Sequence, residues 1–380
     1  MKPSNAVSID DLREMARRHL PQLVFDYIEG GAEDERGLKR NLDSFAKYRL
    51  LPRYLVDVSQ RDQSATLFGR SYGGAFGIAP VGLSGFARPG ADLMMAKAAA
   101  TANIPFVLSG AGCASIEDVA RVAPHHTWYQ LYVAREQRIS DDIVKRAHDA
   151  GIDVLVLTVD TPIRAKRERD IRNGFVMPPR LTMRSLVETL SHPSWLLSMA
   201  VGGMPVFGTW APYSGKNAGS KETVAMFASQ IPFTQTWENV DALRRIWPGK
   251  LVIKGILHPD DALRAAESGA DGIVISNHGG RQIDTAPTPL EMLPLIRTAV
   301  GSRLVVMLDG GVRRGSDIIM ALALGAQFVF AGRAMMYGAA AGSGGADRAI
   351  VILREEIDLT LGQIGCPRIS DLGPHVLLGQ

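Results

Sequence analysis

The chain has 380 residues, 46% of them hydrophobic and 21% charged, with a formal net charge of +3. That length suits one large α/β barrel or two ordinary domains. The small net charge, with no dense Lys/Arg stripe, argues against a nucleic-acid partner, and the two cysteines, Cys113 and Cys366, are too few for a disulfide framework or a thiolate metal site.

Cysteine scarcity fits a reducing compartment. The opening MKPSNAVSIDDLREMARRHL carries acidic residues where an export signal needs an apolar core, so a cytoplasmic protein is expected. SIDDLREMARRHL reads as one amphipathic helix, and FDYIEGGAEDERGLKRNLDSF as a second, interrupted at Gly30 and Gly31. Together they predict a helical extension over residues 1–75.

From residue 76 short apolar runs alternate with helix-like segments. The runs are FGIAPVG (76–82), PFVLSG (105–110), TWYQLYV (127–133) and DVLVLTVD (153–160), then KLVIKGI (250–256), DGIVISNH (271–278), RLVVMLDG (303–310) and FVFAGR (328–333). Helix candidates between them, such as SIEDVARV and SDDIVKRAHDAG, start at Ser or Asp caps. Near-continuous apolar strands alternating with helices imply a parallel sheet buried on both faces. Eight units predict a closed (β/α)₈ barrel, the TIM-barrel architecture, over roughly 76–365. An open doubly wound sheet is the alternative, but its glycine-rich fingerprint after the first strand is missing. One domain over 1–380 is expected, with a long insertion after strand four, about 175–235.

Within that insertion, residues 189–215 contain no Lys, Arg, Asp or Glu. Pro193, Gly202, Gly203, Pro205 and Pro212 break the run, so it does not read as a spanning helix. Two readings stay open: a loop packed over the site or a neighbouring subunit, or an apolar patch on a membrane surface, with Trp195, Leu196 and Leu197 at its centre.

The strand ends should converge on the active site, so their polar residues carry the chemistry. They are Pro80, Val81 and Gly82; Ser109; Gln130 and Tyr132; Thr158 and Asp160; Lys254; Ser276, Asn277, His278 and Arg281; Asp309, Gly311 and Arg313; Gly332 and Arg333. LDGGVRRG and FAGRA follow strands seven and eight, where such barrels bind phosphate, and each couples glycine backbone to an arginine. Asp160 and His278 read as an orienter and a general base. Arg281 and Arg167 read as a carboxylate clamp. A mid-strand Lys254 demands an anionic partner: a phosphate, a Schiff-base substrate or a reduced flavin. No residue set has metal-ligand spacing.

SNHGGRQID closely resembles the signature of the FMN-dependent 2-hydroxyacid dehydrogenases and oxidases. The likeness extends in order through FDYIEGGAEDE, IAPVGLSG, WYQLYV, LTVDTP, RERDIRNGF, VIKGI, LDGGVRRGSD, ALALGAQFVFAGRA and LGQIGCP, nearly the whole chain. It implies an FMN cofactor, a small 2-hydroxyacid substrate and a homotetramer. His278 would take the substrate proton with Asp160 beside it, a pairing expected to raise the imidazole pKa. Arg167, Arg281, Tyr27 and Tyr132 would hold the substrate, and Lys254 the N1/O2 edge of the flavin. Pro80, Val81, Gly82, Ser109, Gln130, Thr158 and Ser276 would contact the isoalloxazine and ribityl chain; Asp309, Gly311, Arg313, Gly332 and Arg333 would hold the ribityl and phosphate end. GLSG, SIEDVAR and LGQIGCP are most similar to the mandelate- and lactate-oxidising branches. Gly82, where the glycolate-oxidising branch has alanine, resembles the pattern of members that reduce a quinone rather than oxygen. In those branches the insertion meets the membrane, so peripheral contact through 189–215, on the inner face of the cell membrane, is expected here. An FMN-barrel isomerase and a Schiff-base aldolase are the alternatives from another class.

Overall fold

Eight parallel strands close into a barrel in the computed structural model, which describes residues 2–175, 183–231 and 233–378. They are β1 (Phe76–Ile78), β2 (Phe106–Ser109), β3 (Thr127–Leu131), β4 (Val154–Thr158), β5 (Lys250–Ile256), β6 (Gly272–Ile275), β7 (Val305–Asp309) and β8 (Phe328–Ala331). All eight fall on the apolar runs of the sequence. Every residue of β2, β3 and β4 is buried, as expected of strands with helices outside and a packed interior within. The doubly wound alternative is excluded by closure, since β8 pairs with β1.

Register brings the polar strand ends to one rim. Ser109 lies opposite Gln130 across β2 and β3, and Thr158 opposite Lys254 across β4 and β5. The other end is stoppered with aromatic rings. A hairpin of Ala65–Leu67 and Arg70–Tyr72 carries Phe68 to 5.8 Å from Trp128, which stands 5.5 Å from Phe330. The barrel is thus filled below and open only where its chemistry-bearing residues sit.

The N-terminal extension roofs that open end. Helix α1 (Ile9–His19) starts at a capping box between Ser8 and Asp11, and α2 (Gln22–Glu29) stops at Gly30, where the sequence placed the interruption. The C-terminal carbonyls of a helix lack internal partners and form its negative end. Arg281 and Arg333 satisfy those of α2: Arg281 donates to Tyr27 O and Gly30 O, and Arg333 to Ile28 O and Gly30 O, at 2.7–2.9 Å. Two arginines of the barrel rim therefore dock the extension.

The insertion contributes α3 (Glu168–Arg172), α4 (Met183–Leu190), α5 (Pro193–Gly202) and α6 (Ser220–Gln230); its residues 176–182 and Pro232 lie outside the described residues. Its uncharged run divides in two. Phe207 and Trp210 are buried, and the Trp210 indole donates to Gly110 O at 2.7 Å, so that half packs over the barrel mouth. Met183, Val187, Leu190, Leu197, Val201 and Met204 on or beside α4 and α5 are 60–82% exposed. The expected centre of the patch needs correction. Trp195 is buried and donates to Phe86 O at 2.8 Å, and Leu196 packs on the core; of that trio only Leu197 faces out. Among the described residues no helix is long and apolar enough to cross a membrane.

Gly311 sits at φ +84°, and a Cβ there would run into the Asn41 carbonyl and the Phe45 ring. Gly311→Ala should lower unfolding free energy by about 1–3 kcal/mol, read as a shifted urea midpoint with unchanged slope.

Candidate active site

The open rim encloses a cavity of about 570 Å³, the size of a small-molecule site. Its wall includes Pro80, Val81, Gly82, Ser109, Gln130, Tyr132, Thr158, Lys254, Asp309, Gly311, Arg313, Gly332 and Arg333, together with Tyr27, Arg167, His278 and Arg281. Strand geometry alone thus gathers nearly all of the residues singled out at strand ends.

Lys254 is 4% exposed and needs a counter-charge. Asp309 supplies it, Oδ2 lying 3.2 Å from Nζ, and Nζ also donates to Ser276 Oγ at 3.0 Å. Burial pulls the ammonium's pKa down, but Asp309 and Asp160 outweigh it and the net direction is up, so Lys254 stays charged. Asp309 lies beside Lys254, and Ser276 is fully buried behind the wall, its hydroxyl taken by Lys254 and by the His278 N–H at 3.0 Å.

His278 begins a left-handed turn, with φ +56° followed by +66° and +76° at Gly279 and Gly280. A histidine held in that region is strained and must be fixed by its surroundings. Asp160 does so from the tip of β4, its Oδ1 2.9 Å from Nδ1. Burial pushes the Asp160 carboxyl up, yet His278 and Lys254 bring it below its ordinary value, so it is ionised. Nδ1 then carries the proton facing Asp160, which leaves Nε2 as the acceptor. Asp160 does raise the imidazole pKa, as expected, but burial and other groups outweigh it. Burial pushes it down, Asp160 pulls it up, Lys254 and Arg167 push it down again, and the net position is below 6.5. Neutral imidazole is the state that can accept a proton.

Arg281 is anchored through Nη1 to the α2 carbonyls, while its Nη2 is buried without a partner. Its guanidinium stacks 4.8 Å above the Tyr27 ring. Arg167, with a pKa pushed down to about 10 by burial and by Arg281, stands on the same wall. Tyr27 and Tyr132 stay protonated, burial raising both phenols. Around them sequence reasoning missed an aromatic enclosure of Phe175, Phe207 and Phe227. Phe175 packs 4.7 Å from Tyr27, and Phe207 stacks 4.8 Å from Phe227. The uncharged run 189–215 holds one of these rings, Phe207. Gln282 was also missed, although it directly follows Arg281 in the signature.

Among the described residues, none of Arg167, Arg281, Arg313 and Arg333 forms a salt bridge, although all four face one cavity. Burial, Arg281 and Arg313 push the Arg333 pKa down to about 9. Unpaired guanidiniums in a confined site call for an anionic ligand. Gln130 Nε2, Thr158 Oγ1 and Asp309 Oδ1 are likewise buried without partners on the same wall. A ligand with a phosphate at the Arg313/Arg333 end and a polar ring and chain along β3, β4 and β7 matches these groups.

Fold and site together define a (β/α)₈ barrel whose open end is fitted for a phosphate-bearing ligand. The family model of the FMN-dependent dehydrogenases matches residues 16–378, and the chain belongs to that family. It is an FMN-dependent 2-hydroxyacid dehydrogenase. It is 42% identical to (S)-mandelate dehydrogenase of Pseudomonas putida over 374 residues, covering 98% of this chain and 94% of the relative. It is 40% identical to L-lactate dehydrogenase of a Caulobacter species, covering 97% and 98%. Its structure superposes on that of a monotopic membrane protein, (S)-mandelate dehydrogenase, with TM-score 0.95 and 42% identity, covering 99% and 100%.

With burial holding the His278 pKa below its ordinary value, kcat/KM should fall toward acid pH as the imidazole gains a proton, and fall again only near pH 10, where Arg167 begins to lose its charge. Asp160 raises that pKa, so Asp160→Asn should move the acid limb further down, not up, while losing the tautomer control and slowing flavin reduction on the order of 10²-fold. A pH series of anaerobic reduction rates checks both.

Proposed function

We propose that this enzyme oxidises an (S)-2-hydroxyacid with an aromatic side chain, mandelate, to the 2-oxoacid and delivers the electrons to a quinone-type acceptor. The observation that carries the reading is the set of four guanidiniums that, among the described residues, lack carboxylate partners around one cavity, together with a neutral His278 held beside an ionised Asp160. Arg313 and Arg333, with Gly311 and Gly332, hold the cofactor phosphate. Asp309, Thr158, Gln130 and Ser109 meet its chain and ring, and Pro80, Val81 and Gly82 flank one edge.

Arg281 Nη2 and Arg167 bind the substrate carboxylate, and Tyr27 and Tyr132 offer hydroxyls beside it. That grip presents the reacting carbon to the ring and a substrate proton to Nε2 of His278. Asp160 stabilises the imidazolium as it forms. FMN, once bound, supplies the two-electron acceptor. Lys254 would set its fixed positive charge against the bound cofactor and so favour negative charge gained there.

Phe175, Phe207 and Phe227 give the substrate side chain an aromatic enclosure, and small Gly82 and Ala111 leave room above the ring. This favours mandelate over lactate, the runner-up. Lys254 argues against a Schiff-base aldolase, because an ammonium paired with Asp309 is not a free amine nucleophile. The exposed apolar side chains of α4 and α5 support peripheral membrane contact, which would give access to quinones. A homotetramer is proposed from the family resemblance alone.

Anaerobic mixing with (S)-mandelate, L-lactate and glycolate tests the substrate: mandelate should bleach the flavin fastest, and a quinone analogue should restore the colour faster than oxygen. His278→Ala should keep FMN and lose reduction by roughly 10²–10⁴-fold; near-normal bleaching would refute the assigned base.

Substituting Leu197 and Val201 by glutamate should move the protein from the membrane pellet to the supernatant without changing bleaching. Full recovery of the unaltered protein in the supernatant at low and high salt rejects the membrane reading.

A further inference from the structure

Gln282 lies on the cavity wall directly after Arg281, and neither the proton-accepting pair nor the carboxylate clamp requires it by type. Its side chain nevertheless touches both. Nε2 donates to the main-chain carbonyl of Asp160 at 2.8 Å, and Oε1 accepts from Arg167 Nη2 at 3.3 Å. Arg167 Nε donates at 3.3 Å to the carbonyl of the neighbouring Arg281. Both side-chain hydrogen bonds of Arg167 thus end on residues 281 and 282. Asp160, through the same amide, is tied to the loop that begins with its own partner, His278.

The amide has one workable orientation. Flipped, it would set Oε1 against the Asp160 carbonyl and Nε2 against a guanidinium, two contacts without a donor–acceptor match. A carboxylate would repel the Asp160 carbonyl and compete with substrate for Arg167. An apolar side chain would leave Arg167, at the N-terminus of α3, fixed only through Nε.

We propose that Gln282 is a positioning residue that couples the two halves of the site, holding Asp160 toward His278 with its amide nitrogen and Arg167 toward the substrate carboxylate with its amide oxygen. The assignment rests on the roles proposed above for His278, Asp160 and Arg167. It makes base placement and carboxylate binding interdependent. A change at Gln282 should register in both substrate half-saturation and limiting reduction rate, with little effect on FMN retention.

Anaerobic stopped-flow reduction of the FMN-loaded enzyme by (S)-mandelate tests it with Gln282→Met, Gln282→Glu, Arg167→Met and the Gln282→Met/Arg167→Met pair. Gln282→Met should raise half-saturation roughly tenfold, the effect of losing one hydrogen bond to a charged group, and lower the limiting rate, with FMN content and Tm unchanged. Gln282→Glu should raise half-saturation further, most strongly at pH values where the new carboxyl is ionised. The double variant should bind substrate no worse than Arg167→Met alone, because the two residues act as a unit. Additive losses in the pair, unchanged half-saturation and rate in Gln282→Met, or losses that only track FMN content each overturn the proposal. If Gln282→Met fails to fold, the pH dependence of Gln282→Glu decides alone. An unaltered enzyme that no 2-hydroxyacid reduces points instead to failure of the functional reading.

Discussion

Lys254 emerges from the middle of an apolar strand with its ammonium almost wholly withdrawn from water. Such a charge is tolerated only if paired and hydrogen-bonded, and the partners available at that depth are the tips of neighbouring strands. Asp309 from β7 balances the charge, Ser276 just past the end of β6 accepts a hydrogen bond, and Asp160 from the end of β4 adds its field. Every other feature of the rim follows from that arrangement. Ser276, committed to Lys254, also receives the His278 N–H, and so helps hold that residue in its left-handed conformation. His278 in turn orients toward Asp160. One ammonium therefore organises a base, its orienter and a second carboxylate that keeps one oxygen free.

Burial, helped by the same ammonium, explains why the imidazole is neutral. A surface His–Asp pair would favour the protonated ring, which is what the sequence suggested. Here burial and the neighbouring positive groups outweigh the carboxylate. The site is rich in positive charge because it must receive two anionic groups, a cofactor phosphate and a substrate carboxylate. That surplus keeps the base unprotonated without any dedicated device. A neutral imidazole at His278 and a cavity suited to anions are then two outcomes of one environment.

Much of this was legible in the sequence, for reasons that can be located. Buried parallel strands are continuous apolar runs, so FVLS, VLVLT and GIVI were readable, and polar residues at their ends had to face something other than core. The break at Gly30 and Gly31 was legible because glycine ends helices. What stayed hidden depends on which way a side chain points in segments without periodicity. Trp195 and Leu196 are as apolar as Leu197, and only the packing of α5 against Phe86 separates buried from exposed. Phe207 and Phe227 enter the cavity from a part of the chain with no strand rhythm. Gln282 was overlooked because a glutamine beside a histidine and an arginine announces no chemistry, and its importance lies in what it joins. The upward pull of Asp160 on His278 was legible because that neighbour can be read from strand ends, while the net downward direction, set by burial and a lysine from another strand, was not.

The helices that carry the exposed apolar side chains are not free appendages. Helix α4 is pinned to α2 where Glu188 accepts from the Gln22 N–H at 2.8 Å, and α5 is pinned to Phe86 through Trp195. Helix α2 carries Tyr27 and docks on Arg281 and Arg333, while Phe86 stands 5.9 Å from Phe175 on the cavity wall. A body resting on that apolar face would thus press on the elements that enclose the substrate and fix its clamp. The exposed apolar face and the cavity wall share a scaffold, so a substitution that shifts α4 or α5 also shifts the walls of the cavity.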